Sequence, residues 1–182
     1  MKFPIGIQDF RSIIEGGYAY VDKTALVYDM ANEGKIYFLS RPRRFGKSLL
    51  VSTLECYFRA EKELFKGLAM ETLEKEWQTY PVFHIDFNST DFQDGKALHG
   101  KLENYLSVWE QQYGVSANPA LGVGDRFLSL LASVYRQTGK RSVVLVDEYD
   151  KPLLDVLDTG YLTKNDNGDE ILLEEYNRNI LK

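Results

Sequence analysis

Residues 35–58 read KIYFLSRPRRFGKSLLVSTLECYF, and this stretch decides the fold. An apolar run, Ile36 to Ser40, is bounded by Gly34 and Pro42 and suits a short buried strand. After Lys47, the residues Leu49, Leu50, Thr53, Leu54, Tyr57 and Phe58 recur at helical spacing and form one broad apolar face. Between the two lies Phe45-Gly46-Lys47-Ser48, the end of a phosphate-binding loop pattern, G-x-x-x-x-G-K-[ST]. The first glycine of that pattern is absent: Arg41 stands in its place, followed by Pro42.

The chemistry such a loop needs is specific. Backbone N–H groups must converge on an anion at the positive end of the following helix. Gly46 would let the backbone approach closely, where a Cβ would block it. Lys47 would bring a compact charge to the β- and γ-phosphates, and Ser48 a hydroxyl to Mg²⁺. Phe45 and Leu49 complete the loop and first turn that would hold the nucleotide. Glycine-lysine-serine or -threonine alone is weak evidence, since composition places it by chance in roughly one chain in ten of this length. Its position between a strand-like run and an apolar-faced helix carries the argument.

A second motif lies ~100 residues on. Ser142-Val143-Val144-Leu145-Val146 is the strongest buried-strand signal in the chain and ends in Asp147-Glu148-Tyr149-Asp150. A strand ending in a carboxylate holds the Mg²⁺ shell in P-loop enzymes, which assigns Asp147 to metal. Glu148 is placed to polarise a water attacking the γ-phosphate. The competing reading, that these acids only cap a helix at Lys151-Pro152, suits Asp150 best. A further strand, Val82 to Phe87, lies between the motifs in sequence. It predicts the additional-strand, catalytic-glutamate arrangement, with Asp86 serving either the site or a cap before Ser89-Thr90.

Arg41, Arg43, Arg44 and Lys47 put four positive charges within seven residues. Arg43 and Arg44 are candidates for bidentate contacts to the triphosphate, against the alternative of a solvated basic loop.

The rest of the chain frames these motifs. Tyr18 to Val21 reads as a brief strand, and Asp22 can cap a helix that turns Leu26, Val27 and Met30 inward. Helices are predicted over roughly 96–113 and 123–139, and residues 158–170 read as a polar loop. Strands alternating with helices predict a three-layer α/β/α sandwich around a mainly parallel sheet. Residues 1–34 form an N-terminal segment on an ATPase core of residues 35–182. The final run, EILLEEYNRNILK, has no stop signal, so the core is expected to continue beyond Lys182.

Composition excludes several classes. The 182 residues carry a net charge of −5, which argues against a domain-wide nucleic-acid footprint. One cysteine, Cys56, removes disulfide frameworks and cysteine zinc sites, and its helical neighbours predict a buried thiol. His84 and His99 show no metal-ligand pattern, and Trp77 and Trp109 read as packing residues. No apolar run is long enough to span a bilayer and no targeting signal is present, so the expected location is the cytoplasm.

Together, PIGIQDF (4–10), YVDKT (20–24), RPRRFGKS (41–48), FHIDF (83–87) and VDEYDKPLLD (146–155) resemble the AAA-ATPase-like domain of many bacterial proteins. In those proteins a PD-(D/E)XK nuclease-like domain usually follows. The resemblance implies nucleotide binding by Gly46, Lys47 and Ser48, with Asp147 and Glu148 as the acidic pair. It also makes Arg41-Pro42 a family feature, and implies that YVDKT helps to enclose the base. The expected cofactors are ATP and Mg²⁺, with Lys47 and Glu148 catalytic and Ser48 and Asp147 on the metal. The expected partner is a nuclease-like domain of the same chain, outside these residues, and self-association is open. Later sensor or arginine-finger residues would complete hydrolysis.

Four other readings compete. A non-hydrolysing, nucleotide-dependent regulatory module uses the same binding residues. A GTPase reading draws on Thr163-Lys164-Asn165-Asp166, which matches [NT]-K-x-D, but Asp147-Glu148-Tyr149-Asp150 lacks the glycine of D-x-x-G. A small-molecule kinase shares the same strand–loop–helix unit but lacks a recognisable acceptor segment. Direct DNA contact rests on the arginine cluster and on the nuclease-like partner that the resemblance implies.

Overall fold

The computed structural model describes residues 2–182 except Arg41, Arg43, Arg44, Pro119 and Asp166. The protein is mixed α/β, and the chain forms two compact units. Residues 1–84 and 141–147 make the first; residues 85–140 and 148–182 make the second.

The first unit holds α1 (Phe10–Glu15), α2 (Thr24–Glu33), α3 (Lys47–Phe58), a 3-10 turn at Lys62–Phe65, and α4 (Ala69–Leu73). Strand β1 (Val82–Asp86) pairs with β2 (Val143–Asp147) in a small parallel sheet, and the unit boundary crosses β1 after His84. Helix α3 packs on β2, and α1 and α2 pack on α3. Their shared core is Phe10, Val27, Cys56, Tyr57, Leu64, Phe65 and Met70. The Phe10 ring meets those of Phe65 and Tyr20 at 4.9 and 5.2 Å, and Trp77 lies 5.3 Å from Phe65, as a packing residue should.

Two family-like motifs have structural work in this unit. Asp9 of PIGIQDF caps α1, its Oδ2 accepting the Ser12 N–H at 2.7 Å. Asp22 of YVDKT serves the first turn of α2 as expected, from one residue before the N-cap, Lys23. Its Oδ1 accepts the Thr24 N–H and hydroxyl, while Oδ2 accepts the Ala69 N–H at 2.7 Å. Thr24, fully buried, accepts the Met70 N–H at 3.0 Å. YVDKT therefore ties the start of α2 to the start of α4.

Several sequence expectations need correction. Residues 36–40 form no strand and join no sheet among the described residues. Ile36, Tyr37 and Phe38 are 93%, 52% and 70% exposed. An apolar run becomes a buried strand only when neighbours flank it, and among the described residues this sheet pairs only β1 with β2. Tyr18–Val21 is not a strand either; it contributes one bridge, from Tyr18 to Lys2. Val27 faces the core as expected, whereas Leu26 is exposed because the helix starts at Thr24 and turns that position outward.

The second unit is built on α5 (Ala97–Tyr113) and α6 (Val123–Thr138), which pack together, followed by α7 (Lys151–Leu154) and α8 (Leu173–Ile180). Arg126 on α6 is buried and donates from Nε and Nη2 to both oxygens of buried Glu110, and from Nη1 to Glu103. Such a fork-on-carboxylate pair is geometrically demanding and locks the register of the two helices. Trp109, also buried, stacks on Tyr105 at 5.1 Å.

The predicted polar loop at 158–170 contains an antiparallel hairpin, β3 (Leu162–Lys164) with β4 (Glu170–Leu172). The Asn165 side chain accepts from the N–H groups of Asn167 and Asp169, building the turn that polar composition alone disguised. Gly95 lies against this hairpin: a Cβ there would come within 2.3 Å of Thr163 Oγ1.

Candidate functional site

Helix α3 starts where the motif predicts. Gly46, its N-cap, has φ +74 and ψ +27, a left-handed conformation that favours glycine. The Leu50 N–H closes the first helical bond on the Gly46 carbonyl at 3.0 Å. The N–H groups of Lys47, Ser48 and Leu49 thus fall in the first turn, where a helix has no acceptors of its own, and no described side chain caps it. The sequence carries no acidic residue in this turn, so anion attraction to the helix end is not opposed locally.

Among the described residues, a Cβ on Gly46 would meet no atom within 4 Å. Among them, glycine is demanded here by φ, not by crowding. The described residues leave room beside the backbone for a phosphate to approach, which suits the nucleotide that the motif implies. Phe45 is 65% exposed, and Lys47, Ser48 and Leu49 are half-buried. Arg41, Arg43 and Arg44 lie outside the described residues.

Asp147 ends β2 and is buried, 7% exposed, on the strand against which α3 packs. The first unit therefore joins the helix that carries Lys47 and Ser48 to the strand that carries Asp147. Mg²⁺ takes one or two carboxylates together with phosphate oxygens and waters. Ser48 and Asp147 are a donor set of that kind. Among the described residues no three histidine, cysteine or acidic side chains cluster as a metal site.

Glu148 opens the second unit, half-buried, at φ +52. A left-handed glutamate costs on the order of 1 kcal/mol and persists only where its surroundings enforce it. Asp150 occupies the N-cap of α7 but makes no side-chain cap bond, contrary to the capping expectation. Its Oδ1 is buried with no hydrogen-bond partner among the described residues, an acceptor suited to a donor or cation brought by a ligand. Asp86 caps no helix among the described elements; its Oδ1 accepts the Asn88 N–H at 2.7 Å in a turn after β1.

Over residues 4–181 the chain matches the family model described as a predicted AAA-ATPase. This chain belongs to the AAA-ATPase-like family. It is also 43% identical, over 157 residues, to an uncharacterized protein encoded in the vnfD 5′ region of Azotobacter chroococcum mcd 1. That match takes in 86% of this chain and 30% of the relative, so the chain spans under a third of the relative's length. No solved structure matches it.

Other candidates are settled by packing. His84 Nδ1 lies 2.8 Å from Glu55 Oε2, and this contact, above all others, holds the Glu55 carboxyl below its ordinary range. His99 is exposed on α5. Thr163, Lys164 and Asn165 of the guanine-type pattern belong to β3 and its turn, while Asp166 lies outside the described residues. Cys56 is buried at 5% exposure, and burial pushes its thiol far above the usual range, with Glu61 adding to the effect. Among the described residues no helix is long and apolar enough to cross a membrane.

Sequence reading missed two supporting groups. Ser52, one turn beyond Ser48, bonds to Asp9; Lys151 and Asp155 bond to each other and to residues 90–92. The i, i+4 spacing of Lys151 and Asp155 was visible, but their partners 61 and 63 residues away were not.

Proposed function

We propose that this domain binds ATP and, in the longer protein, hydrolyses it with Mg²⁺. The observation that carries the reading is the start of α3: a helix N-terminus with no side-chain cap among the described residues, opened by left-handed Gly46 and followed by Lys47 and Ser48, in a chain of this family. The backbone N–H groups of residues 47–49 would bind the β-phosphate, and the Lys47 ammonium would neutralise the β/γ bridge. Ser48 and Asp147 would hold Mg²⁺, which supplies charge neutralisation at the γ-phosphate oxygens when bound. Glu148 would take a proton from the attacking water.

The finer fold belongs to the same proposal. We read the β1–β2 pair as part of a larger P-loop sheet of the additional-strand type, in a three-layer sandwich working in the cytoplasm. Arg43 and Arg44 would add guanidinium contacts to the phosphates. The remainder of the protein would include a nuclease-like domain whose activity follows nucleotide state. What supports this is the resemblance in RPRRFGKS and VDEYDKPLLD, together with a relative more than three times as long as its matched stretch.

Calorimetry tests the binding half: Lys47→Ala should weaken Mg-ATP binding at least tenfold, and unchanged affinity would remove the proposal. Glu148→Gln in the full-length protein should keep ATP bound while abolishing turnover. Binding without turnover in the wild type would instead assign the domain as a nucleotide-dependent switch.

A further inference from the structure

The VDEYDKPLLD run holds more than an acidic pair. Glu148 is left-handed, and its carbonyl accepts the Lys151 N–H at 3.0 Å, so the conformation of Glu148 is coupled directly to the first turn of α7. That turn is only four residues long and cannot hold itself in place. It is held from outside.

The Lys151 ammonium donates to the Thr90 carbonyl at 2.6 Å and to Asp155 Oδ2 at 2.5 Å, and lies 5.3 Å from the Phe92 ring centroid. Asp155 Oδ2 in turn accepts the Phe92 N–H at 3.4 Å. Phe92 is fully buried, and the Lys151 and Asp155 side chains are 26% and 23% exposed. An exposed i, i+4 ion pair would contribute little. This pair differs because a distant carbonyl, an amide and an aromatic face complete it. On the next residue, the Pro152 carbonyl accepts from the side-chain amide of buried Asn177 at 2.8 Å. The start of α7 is thereby fixed on two sides, by residues 90–92 and by α8.

We propose that Lys151 is a positioning residue for Glu148: its clamp on Thr90 and Asp155 maintains the left-handed backbone from which the Glu148 carboxylate is presented. The partners of Lys151 are the Thr90 carbonyl, Asp155 and the Phe92 ring, so it acts on Glu148 through the backbone. The inference rests on the ATPase reading for its catalytic consequence, but not for the clamp itself.

The test uses the full-length protein with Lys151→Met and Lys151→Arg, read by ATP turnover, Mg-ATP affinity and amide hydrogen exchange over residues 148–151. Lys151→Met should lower kcat at least tenfold with affinity within twofold. Exchange over 148–151 should quicken at least tenfold, with α5 and α6 unchanged. Lys151→Arg should recover most of both effects, since a guanidinium can still bridge a carbonyl and a carboxylate. Unchanged exchange overturns the clamp, and quickened exchange with unchanged kcat overturns the positioning role. A wild type without turnover defeats the ATPase reading, and exchange alone then decides the clamp. If Lys151→Met does not fold, Asp155→Asn, which keeps the Thr90 contact, should shift kcat and exchange in the same direction by a smaller factor; no shift in either overturns the proposal.

Discussion

The Asp9 carboxylate accepts the Ser52 hydroxyl at 2.9 Å, and Ser52 Oγ accepts the Phe10 N–H at 2.8 Å. This small circuit joins the cap of α1 to the helix that begins at the phosphate loop. Ser52 follows Ser48 by four residues, so both lie on one face of α3. The anchoring of α3 and its candidate ligand-binding turn are therefore parts of one surface.

Breaking the circuit has a pH signature. Burial disfavours the Asp9 carboxylate, but hydrogen bonds from Ser12 and Ser52 and the Arg11 charge outweigh it and hold its pKa below 3.8. A carboxyl lowered on folding stabilises the protein above its unfolded pKa, and that contribution is lost as pH falls through the folded value. Asp9→Ala should cost about 1 kcal/mol at neutral pH, by loss of the cap and the Ser52 bond. The difference from wild type should shrink below pH 4, as denaturant titrations at both pH values would reveal.

Gly46→Ala separates backbone from chemistry. A Cβ meets no atom of the described residues, so the substitution should act through φ +74, costing roughly 1–2 kcal/mol of stability. Thermal denaturation measures this, and calorimetry should show Mg-ATP affinity falling by more than stability loss explains. Equal melting temperatures would show that Gly46 readily leaves the left-handed region.

Arg126→Met leaves buried Glu110 without its counter-charge. Removing one partner of a buried pair costs about 3–5 kcal/mol. Urea unfolding of Arg126→Met with Glu110→Leu should recover much of that loss, because no buried charge is then stranded. Additive losses in the double variant would mean that the two residues act independently.

Cys56 should resist thiol reagents in the native protein and react fully once denatured, because burial disfavours its thiolate. A rapid native reaction with a chromogenic disulfide would contradict the packing of α3 against α1 and α2.

The sequence carried the local elements well. Helices α3, α5 and α6 and strands β1 and β2 fall within a few residues of the periodicity that predicted them, because amphipathic spacing is written along the chain. The start of α3 at Lys47 was legible for a stronger reason: glycine before lysine and serine names both a left-handed turn and an anion site. Ile36–Phe38 went the other way. Its apolar character predicts burial, but whether a strand forms depends on neighbours that no local pattern specifies.

Family membership was readable from RPRRFGKS and VDEYDKPLLD, since motif chemistry is short-range. The duties of the surrounding motifs were not. Asp9 with Ser52, Asp22 with Ala69, and Lys151 with Thr90 span 43, 47 and 61 residues. A carboxylate or ammonium in sequence announces a need for a partner, without saying whether that partner is a ligand, a helix end or a distant loop. The sequence by itself determined which residues could bind a phosphate and where helix and strand would form. Only the tertiary structure decided that PIGIQDF and YVDKT serve as struts and that Glu148 is held left-handed, because long-range hydrogen bonds are chosen by the packing that brings their groups together.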